Sequence, residues 1–255
     1  LVSLLGIGYS LAGAYLILPY LMKRIFAPFE FPEDRPMPGT SEHTRRTIAR
    51  YRHLPGYPRI FARFKIKLDP MFGELDRYVK NPRLLIDIGC GWGVPAAWLL
   101  ELYPRARVFG LEPDEQRVLI ARRVLGDRGS VHTGRAPDLP DIGGHSDHVL
   151  MLDMLHYLDD EELKLVLERI YEILESDGSL LIRATVPVPE KIPWKRRIEM
   201  LHLKVMGIPE RFRAEGVVLR FMKEAGFAVE VHASQTSGVE EKWFVGRKQN
   251  ARDSR

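Results

Sequence analysis

Three glycines set two residues apart, Gly89, Gly91 and Gly93, follow directly on the apolar run Leu84-Leu85-Ile86-Asp87-Ile88 and precede a helix-forming stretch that opens with Val94 and Pro95. Glycine lets a backbone turn sharply and approach a ligand closely, and the free N–H groups of a helix start face polar ligand atoms. Pro95 costs nothing there, because the donor it lacks has no partner in a first turn anyway. A second apolar run ends in Phe109-Gly110-Leu111-Glu112-Pro113. It brings a carboxylate about 20 to 25 residues after the glycines, the separation from which an acid accepts both hydroxyls of a ribose. This order of features describes a nucleotide-cofactor site with Glu112 on the ribose. A dinucleotide site of the Gly-x-Gly-x-x-Gly kind is disfavoured, since the sixth position from Gly89 is Val94.

A second group of reactive side chains lies in Met151-Leu152-Asp153-Met154-Leu155-His156-Tyr157-Leu158, after another apolar run. Residues at strand carboxyl ends face the ligand crevice of an α/β sheet. Asp153 and His156 are therefore the catalytic candidates, His156 either as a base with a pKa near about 6.5 or as a packing residue under the next helix. Asp159, Asp160, Glu161 and Glu162 form an acidic run that reads as a helix start, where the dipole favours negative charge. His132, His145 and His148 have no metal-ligand spacing, so no metal is expected.

Positioning these residues takes alternating elements. Strands are predicted at 84–88, 107–111, 131–133, 148–152 and 179–184, helices at 94–102, 115–125, 160–174 and 214–225, and closing strands at 228–234 and 242–246. Strand–helix alternation at this spacing implies an α/β fold with a mostly parallel sheet covered on both faces. Upstream, Thr40 or Ser41 caps a helix running to about His53. A second helical stretch spans 58–79, broken at Asp69-Pro70.

The chain has 255 residues, 45% apolar and 28% charged, which suits one globular domain with additions and excludes a disordered chain. One cysteine, Cys90, excludes a disulfide framework and any multi-cysteine metal site. Residues 1–22 carry no charged side chain, and at about 1.5 Å per residue they match a hydrocarbon core of about 30 Å. They read as a transmembrane helix, with a signal peptide as the rival. Lys23 and Arg24 place the downstream chain on the cytoplasmic side of the membrane. Prolines 28, 32, 36 and 38 make 23–40 a linker. A helical cap follows over 41–80, then the main domain over 81–249, and a disordered tail over 250–255. The net charge is +4, and the excess is concentrated in Arg45, Arg46, Arg50, Arg52, Arg59, Arg63, Lys65 and Lys67, which invites an anionic neighbour.

Over residues 60–247 the pattern Asp87-x-Gly89-x-Gly91-x-Gly93 followed by Glu112 resembles motifs I and II of class I S-adenosylmethionine (SAM)-dependent methyltransferases. The resemblance implies a Rossmann-like sheet with an antiparallel closing strand and SAM as cofactor. It places Asp87 toward the methionine amino group, Gly89, Cys90, Gly91 and Gly93 along the cofactor, Glu112 on the ribose, and Trp92 and Pro113 against the ligand by position. Asp153 and His156 resemble motif IV, near the methionine end or the acceptor. Where the family often has Gly-Asp-Ala for the adenine, this chain has Gly134-Arg135-Ala136 before Pro137-Asp138-Leu139-Pro140. Arg135 and Ala136 are expected along the cofactor, but the Arg135 side chain accepts no hydrogen bond, so the adenine contact falls to the Ala136 backbone or to Asp138, or adenine is held loosely.

An insertion at 186–213 interleaves basic and large apolar residues and supplies His202 as a further base candidate. It reads as a lid over a lipid or acyl chain, or as an amphipathic helix packed on the sheet. The expected function is methyl transfer, to oxygen rather than nitrogen, onto a small lipophilic or lipid-linked acceptor at the membrane. No nucleic-acid partner is expected, an RNA methyltransferase being a lesser reading. Residues 16–22 resemble the last membrane helix of MMPL/RND-type lipid exporters, which implies a cytoplasmic tail fused to a transporter. A SAM-binding regulatory tail without turnover is the alternative from another functional class.

Overall fold

The computed structural model describes residues 36–54, 56–186, 211–234 and 241–248. Expectations for the membrane helix at 1–22, most of the linker, most of the 186–213 insertion with His202, and the tail at 250–255 lie outside these residues. Among the described residues no helix is long and apolar enough to cross a membrane.

Three short helices come first: α1 (Ser41–Ala49), α2 (Tyr57–Leu68) and α3 (Met71–Tyr78). Thr40 caps α1 by accepting the His43 N–H. The break at Asp69-Pro70 falls as predicted, since Pro70 cannot donate to a continuing helix and α3 restarts at Met71. Then follow β1 (Leu84–Ile88), α4 (Val94–Leu102), β2 (Arg107–Glu112), α5 (Glu115–Leu125), β3 (Gly129–Thr133), β4 (Ser146–Leu152), α6 (Asp160–Ile173), β5 (Leu174–Thr185), α7 (Glu215–Glu224), β6 (Phe227–Ala233) and β7 (Glu241–Lys248). Asp114 caps α5 through the Gln116 and Arg117 N–H groups. Asp159 and Glu162 close a reciprocal capping box on α6, which accounts for part of the acidic run.

The seven strands lie in the order β3-β2-β1-β4-β5-β7-β6. All pairs are parallel except those of β7 with β5 and β6. Strand β5 is longer than its sequence reading: Leu174, expected as a helix end, pairs with Ser146 across a register shift. Alternate residues of β1 face opposite cores. Leu85 joins the apolar layer that packs α1, α3, α4 and α5, whereas Ile86 and Ile88 join the layer under α6 and α7.

The basic stretch is only partly a surface feature. Arg50 is buried, with Nε 2.7 Å from Glu101, and Arg46 reaches the same carboxylate at 3.0 Å. Arg50 also donates to the Val124 carbonyl. These contacts pin α1 to α4 and α5, so the expected anionic neighbour is met in part by the protein's own Glu101. Burial lowers the Arg50 pKa to about 10 while Glu101 opposes the shift.

Candidate functional site

Strand order reverses at β1, which pairs with both β2 and β4, and such switch points are where open α/β sheets bind ligands. A cleft of about 1100 Å³ opens there, walled by Gly89, Glu112, Pro113, Ala136, Asp153 and Arg211 among others. The glycine loop is held against the end of β2, with the Gly89 and Cys90 N–H groups donating to the Leu111 carbonyl at 2.8 and 3.1 Å. Gly89 has φ +75° and Gly91 φ +56°, a backbone region that side chains rarely tolerate. A Cβ placed on Gly91 would meet nothing within 4 Å, so the loop leaves open space above itself.

Glu112 is 4% exposed. Its Oε2 accepts the Gly91 N–H at 2.9 Å, Oε1 accepts the Asp114 N–H at 3.3 Å, and Arg117 stands 3.7 Å away. A carboxylate oxygen has a further lone pair, so Glu112 braces the loop and still presents acceptors to the cleft. Asp87 sits beneath the loop rather than in the cleft wall. It is 2% exposed, and its Oδ2 has no hydrogen-bond partner. Burial, helped by the charge on Glu112, pushes its pKa up to about 7. A buried acid without a partner, a loop with open space above it and a braced ribose-type carboxylate together fit a cationic nucleoside ligand such as SAM.

Asp153, expected near the methionine end of the cofactor or the acceptor, stands at the cleft with its carboxylate ion-paired. This residue has φ +56° and lines the cleft and a smaller adjoining cavity. Its carboxylate, however, is clamped between Lys65 at 3.0 Å and Arg183 at 2.8 Å. Arg183 is 1% exposed and also engages Asp69 and Glu241. Burial opposes the charge on Lys65 and Arg183, but the carboxylates outweigh it and hold both pKa values above the ordinary ones. Asp69 moves below its ordinary range, Lys65 and Arg183 overcoming its burial. Through these ion pairs the Asp153 carboxylate ties the end of β4 to α2 and β5.

His156 lines the smaller cavity with Asp153, Arg211 and Phe212. Its ring lies 4.1 Å from that of Tyr157 and 5.2 Å from that of Phe212. Burial lowers its pKa to about 4 against the opposing charge of Asp153, so the ring is neutral at physiological pH and weakly basic. The packing role fits this environment. His156→Asn is expected to lower kcat by less than about tenfold, whereas a general base contributes 10²–10⁴; a rate loss in the latter range, with a new pH dependence, would restore the base.

Other expectations divide. Pro113 and Ala136 line the cleft, whereas Asp138 is exposed and is not among its lining residues. Arg135 lines the cleft as well, with its Nη2 donating to the Tyr157 carbonyl and to Glu162. The Cys90 thiol is buried against Gly110, and burial raises its pKa. Only its backbone belongs to the loop. Trp92 turns away from the cleft to pack its ring against Tyr57 and Phe61 of α2, at 5.4 and 4.7 Å. Among the described residues no cluster of three His, Cys, Asp or Glu is arranged to hold a metal ion.

Sequence reasoning missed Arg183, Lys65 and Asp69. A lone arginine inside the apolar run Ser179-Leu-Leu-Ile-Arg183-Ala was the available signal. It also missed Arg213, whose guanidinium donates to Asp160 and to the Leu155 and Leu158 carbonyls and so fixes the loop after β4.

Comparison with known proteins follows this geometry. Residues 85–178 match the family model of a methyltransferase domain. No curated protein matches the sequence. Among solved structures, the pyocyanin biosynthetic protein PhzM is 22% identical with a TM-score of 0.59, over 75% of this chain and 58% of its own. Human N-acetylserotonin methyltransferase, solved in complex with SAM, is 17% identical with a TM-score of 0.57, over 82% of this chain and 56% of its own. An O-methyltransferase family protein from Burkholderia thailandensis is 20% identical with a TM-score of 0.59, over 96% of this chain and 70% of its own. The chain thus spans less than two thirds of the first two, and all three share its fold. Residues 85–178 are thus similar to a methyltransferase domain, and the chain shares the fold of a methyltransferase solved in complex with SAM.

Proposed function

We propose that the chain is a SAM-dependent methyltransferase acting on a small lipophilic or lipid-linked acceptor, with oxygen as the methylated atom, and that residues 1–22 anchor it in the cytoplasmic membrane with the catalytic domain on the cytoplasmic side. The observation that carries the enzyme reading is Glu112, a buried carboxylate at the switch point, braced by the Gly91 N–H and facing the cleft. SAM would supply an electrophilic methyl group on a sulfonium. Glu112 accepts the ribose hydroxyls, Asp87 provides the counter-charge for the ammonium directly or through a water, and the Ala136 backbone borders the adenine. Asp153 and Arg211 border both the cleft and the smaller cavity, so the acceptor enters at that junction. Leu155, Phe212 and Val218 line the smaller cavity, which has room for about one water. Among the described residues the bases at the junction are ion-paired or buried, and these residues contribute proximity, orientation and exclusion of water.

The O-methyltransferase among the structural neighbours supports an oxygen acceptor by analogy of fold. The uncharged run at 1–22 and the apolar and basic composition of 186–213 support membrane and lipid. A SAM-binding regulatory domain without turnover is favoured by one observation: the Asp153 carboxylate is taken up by Lys65 and Arg183, and burial makes His156 weakly basic. The test is calorimetric SAM binding by the full chain in detergent, followed by transfer of a labelled methyl group to a membrane lipid extract. Binding with label in lipid is the expected result. Binding without transfer to any extract supports the regulatory domain, and no binding overturns both.

A further inference from the structure

Helix α2 has an outer face that nothing among the described residues covers. Tyr57, Ile60, Phe64 and Leu68 are 65%, 48%, 56% and 73% exposed. Spaced three or four residues apart, they stack into one apolar stripe. They make up half of the eight large apolar side chains that stand exposed among the described residues. Arg59, Arg63 and Lys67, each four apart and all exposed, form a ridge along one border of the stripe. The helix contains no acidic residue.

Charge decides between the possible occupants. A second copy docked face to face would set one basic ridge against another. The chain's own 187–210 segment is basic too, with Lys191, Lys195, Arg196, Arg197 and Lys204 against Glu190, Glu199 and Glu210. An apolar stripe bordered by arginine and lysine matches the boundary between acyl chains and anionic headgroups. The uncharged run at 1–22 lies upstream on the same chain.

We propose that α2 is an interfacial helix that lies in the plane of an anionic lipid surface, Tyr57, Ile60, Phe64 and Leu68 among the acyl chains and Arg59, Arg63 and Lys67 on the headgroups. The same helix holds Trp92 of the glycine loop through Tyr57 and Phe61, and Asp153 through Lys65. Docking therefore places the cleft beside the lipid surface, so a lipid-borne acceptor reaches it without crossing bulk water. That consequence rests on the membrane methyltransferase reading; the docking itself does not.

The test is a Phe64→Cys full chain carrying an environment-sensitive dye, with Leu165→Cys on α6 as the control position; the native Cys90 is buried. The labelled chain is mixed with vesicles of phosphatidylcholine alone or phosphatidylcholine with phosphatidylglycerol, and flotation is read beside dye emission and quenching by a lipid-borne quencher. The expected result is a blue shift and quenching at position 64 on the mixed vesicles only, with none at 165. The shift should be reversed in an Arg59→Ser, Arg63→Ser, Lys67→Ser background that loses about fivefold of affinity per charge. Flotation on both vesicle types with the dye still in water overturns the interfacial helix and leaves the anchor standing, and flotation on neither overturns both. A dye shielded before any vesicle is added assigns the face to the chain itself or to a second copy. Equal shielding on pure phosphatidylcholine overturns the anionic surface.

Discussion

Glu112→Ala is expected to weaken SAM binding by about 10²–10⁴. Two hydrogen bonds from ribose hydroxyls to a charged acceptor contribute about 1.5–3 kcal/mol each. The side chain has a second task, since the Gly91 N–H that it accepts loses its partner in the alanine variant. An orphaned donor costs about 1–3 kcal/mol, so the variant should also melt earlier. Glu112→Gln is the intermediate case. Its amide oxygen still accepts the Gly91 N–H, while its NH₂ faces the Asp114 N–H and cannot accept a hydroxyl, so both stability and affinity should fall between those of the parent and the alanine variant. Calorimetric titration of the three proteins decides it. If Glu112→Ala keeps SAM within about tenfold of the parent, the ribose is held elsewhere.

The sheet was legible because its strands announce themselves. Leu84–Ile88 and Arg107–Glu112 are short apolar runs, each followed by a turn signal and a capped or proline-started helix, and the helices at 94–102 and 115–125 have the bounds that the sequence implied. The cofactor half of the site was legible for the same reason: the glycine loop and Glu112 are local features whose chemistry depends on backbone and spacing. The acceptor half was not. Asp153 stands out in the sequence as an acid at a strand end, but its partners Lys65, 88 residues away, and Arg183, 30 residues away, do not. Such partners follow from tertiary packing, which one sequence does not display. The same limit hid the inward turn of Arg46 and Arg50, which composition alone counts as surface charge.

The two halves of the site also differ in how they are charged. Beside Asp153 the cleft borders an ion-paired cluster, with Arg183 and Lys65 set among Asp69, Asp153 and Glu241. The cofactor side holds two buried acids with few compensating cations, Asp87 and Glu112, the nearest being Arg117 on Glu112 at 3.7 Å. A surplus of buried negative charge destabilises the empty domain and is relieved by a cationic ligand. The domain is therefore built to gain stability when such a ligand arrives.

Asp87→Asn should expose this trade. The folded pKa of Asp87 is raised to about 7, by burial first and by Glu112 second, against about 3.9 for the unfolded chain. The shift is upward, so the contribution to stability is fully present below about pH 4 and is lost as pH rises to about 7, by an amount on the order of 4 kcal/mol. Asparagine has no charge to lose, although its amide is left partly unpaired, so at about pH 8 the empty variant should be more stable than the parent by about 1–3 kcal/mol. Its SAM affinity should fall by at least about a hundredfold, because the ammonium loses its counter-charge in a buried setting. In the parent, binding below about pH 7 must drive a proton off Asp87, so affinity should drop with acidification and calorimetry in buffers of different ionisation enthalpy should record proton release. Above about pH 8 an α-amino group is itself deprotonated, which gives affinity an alkaline limb as well. The asparagine variant should keep the alkaline limb and lose the acid one. A parent whose affinity is flat from about pH 5 to 7 would remove Asp87 from the ammonium site, whatever its effect on stability.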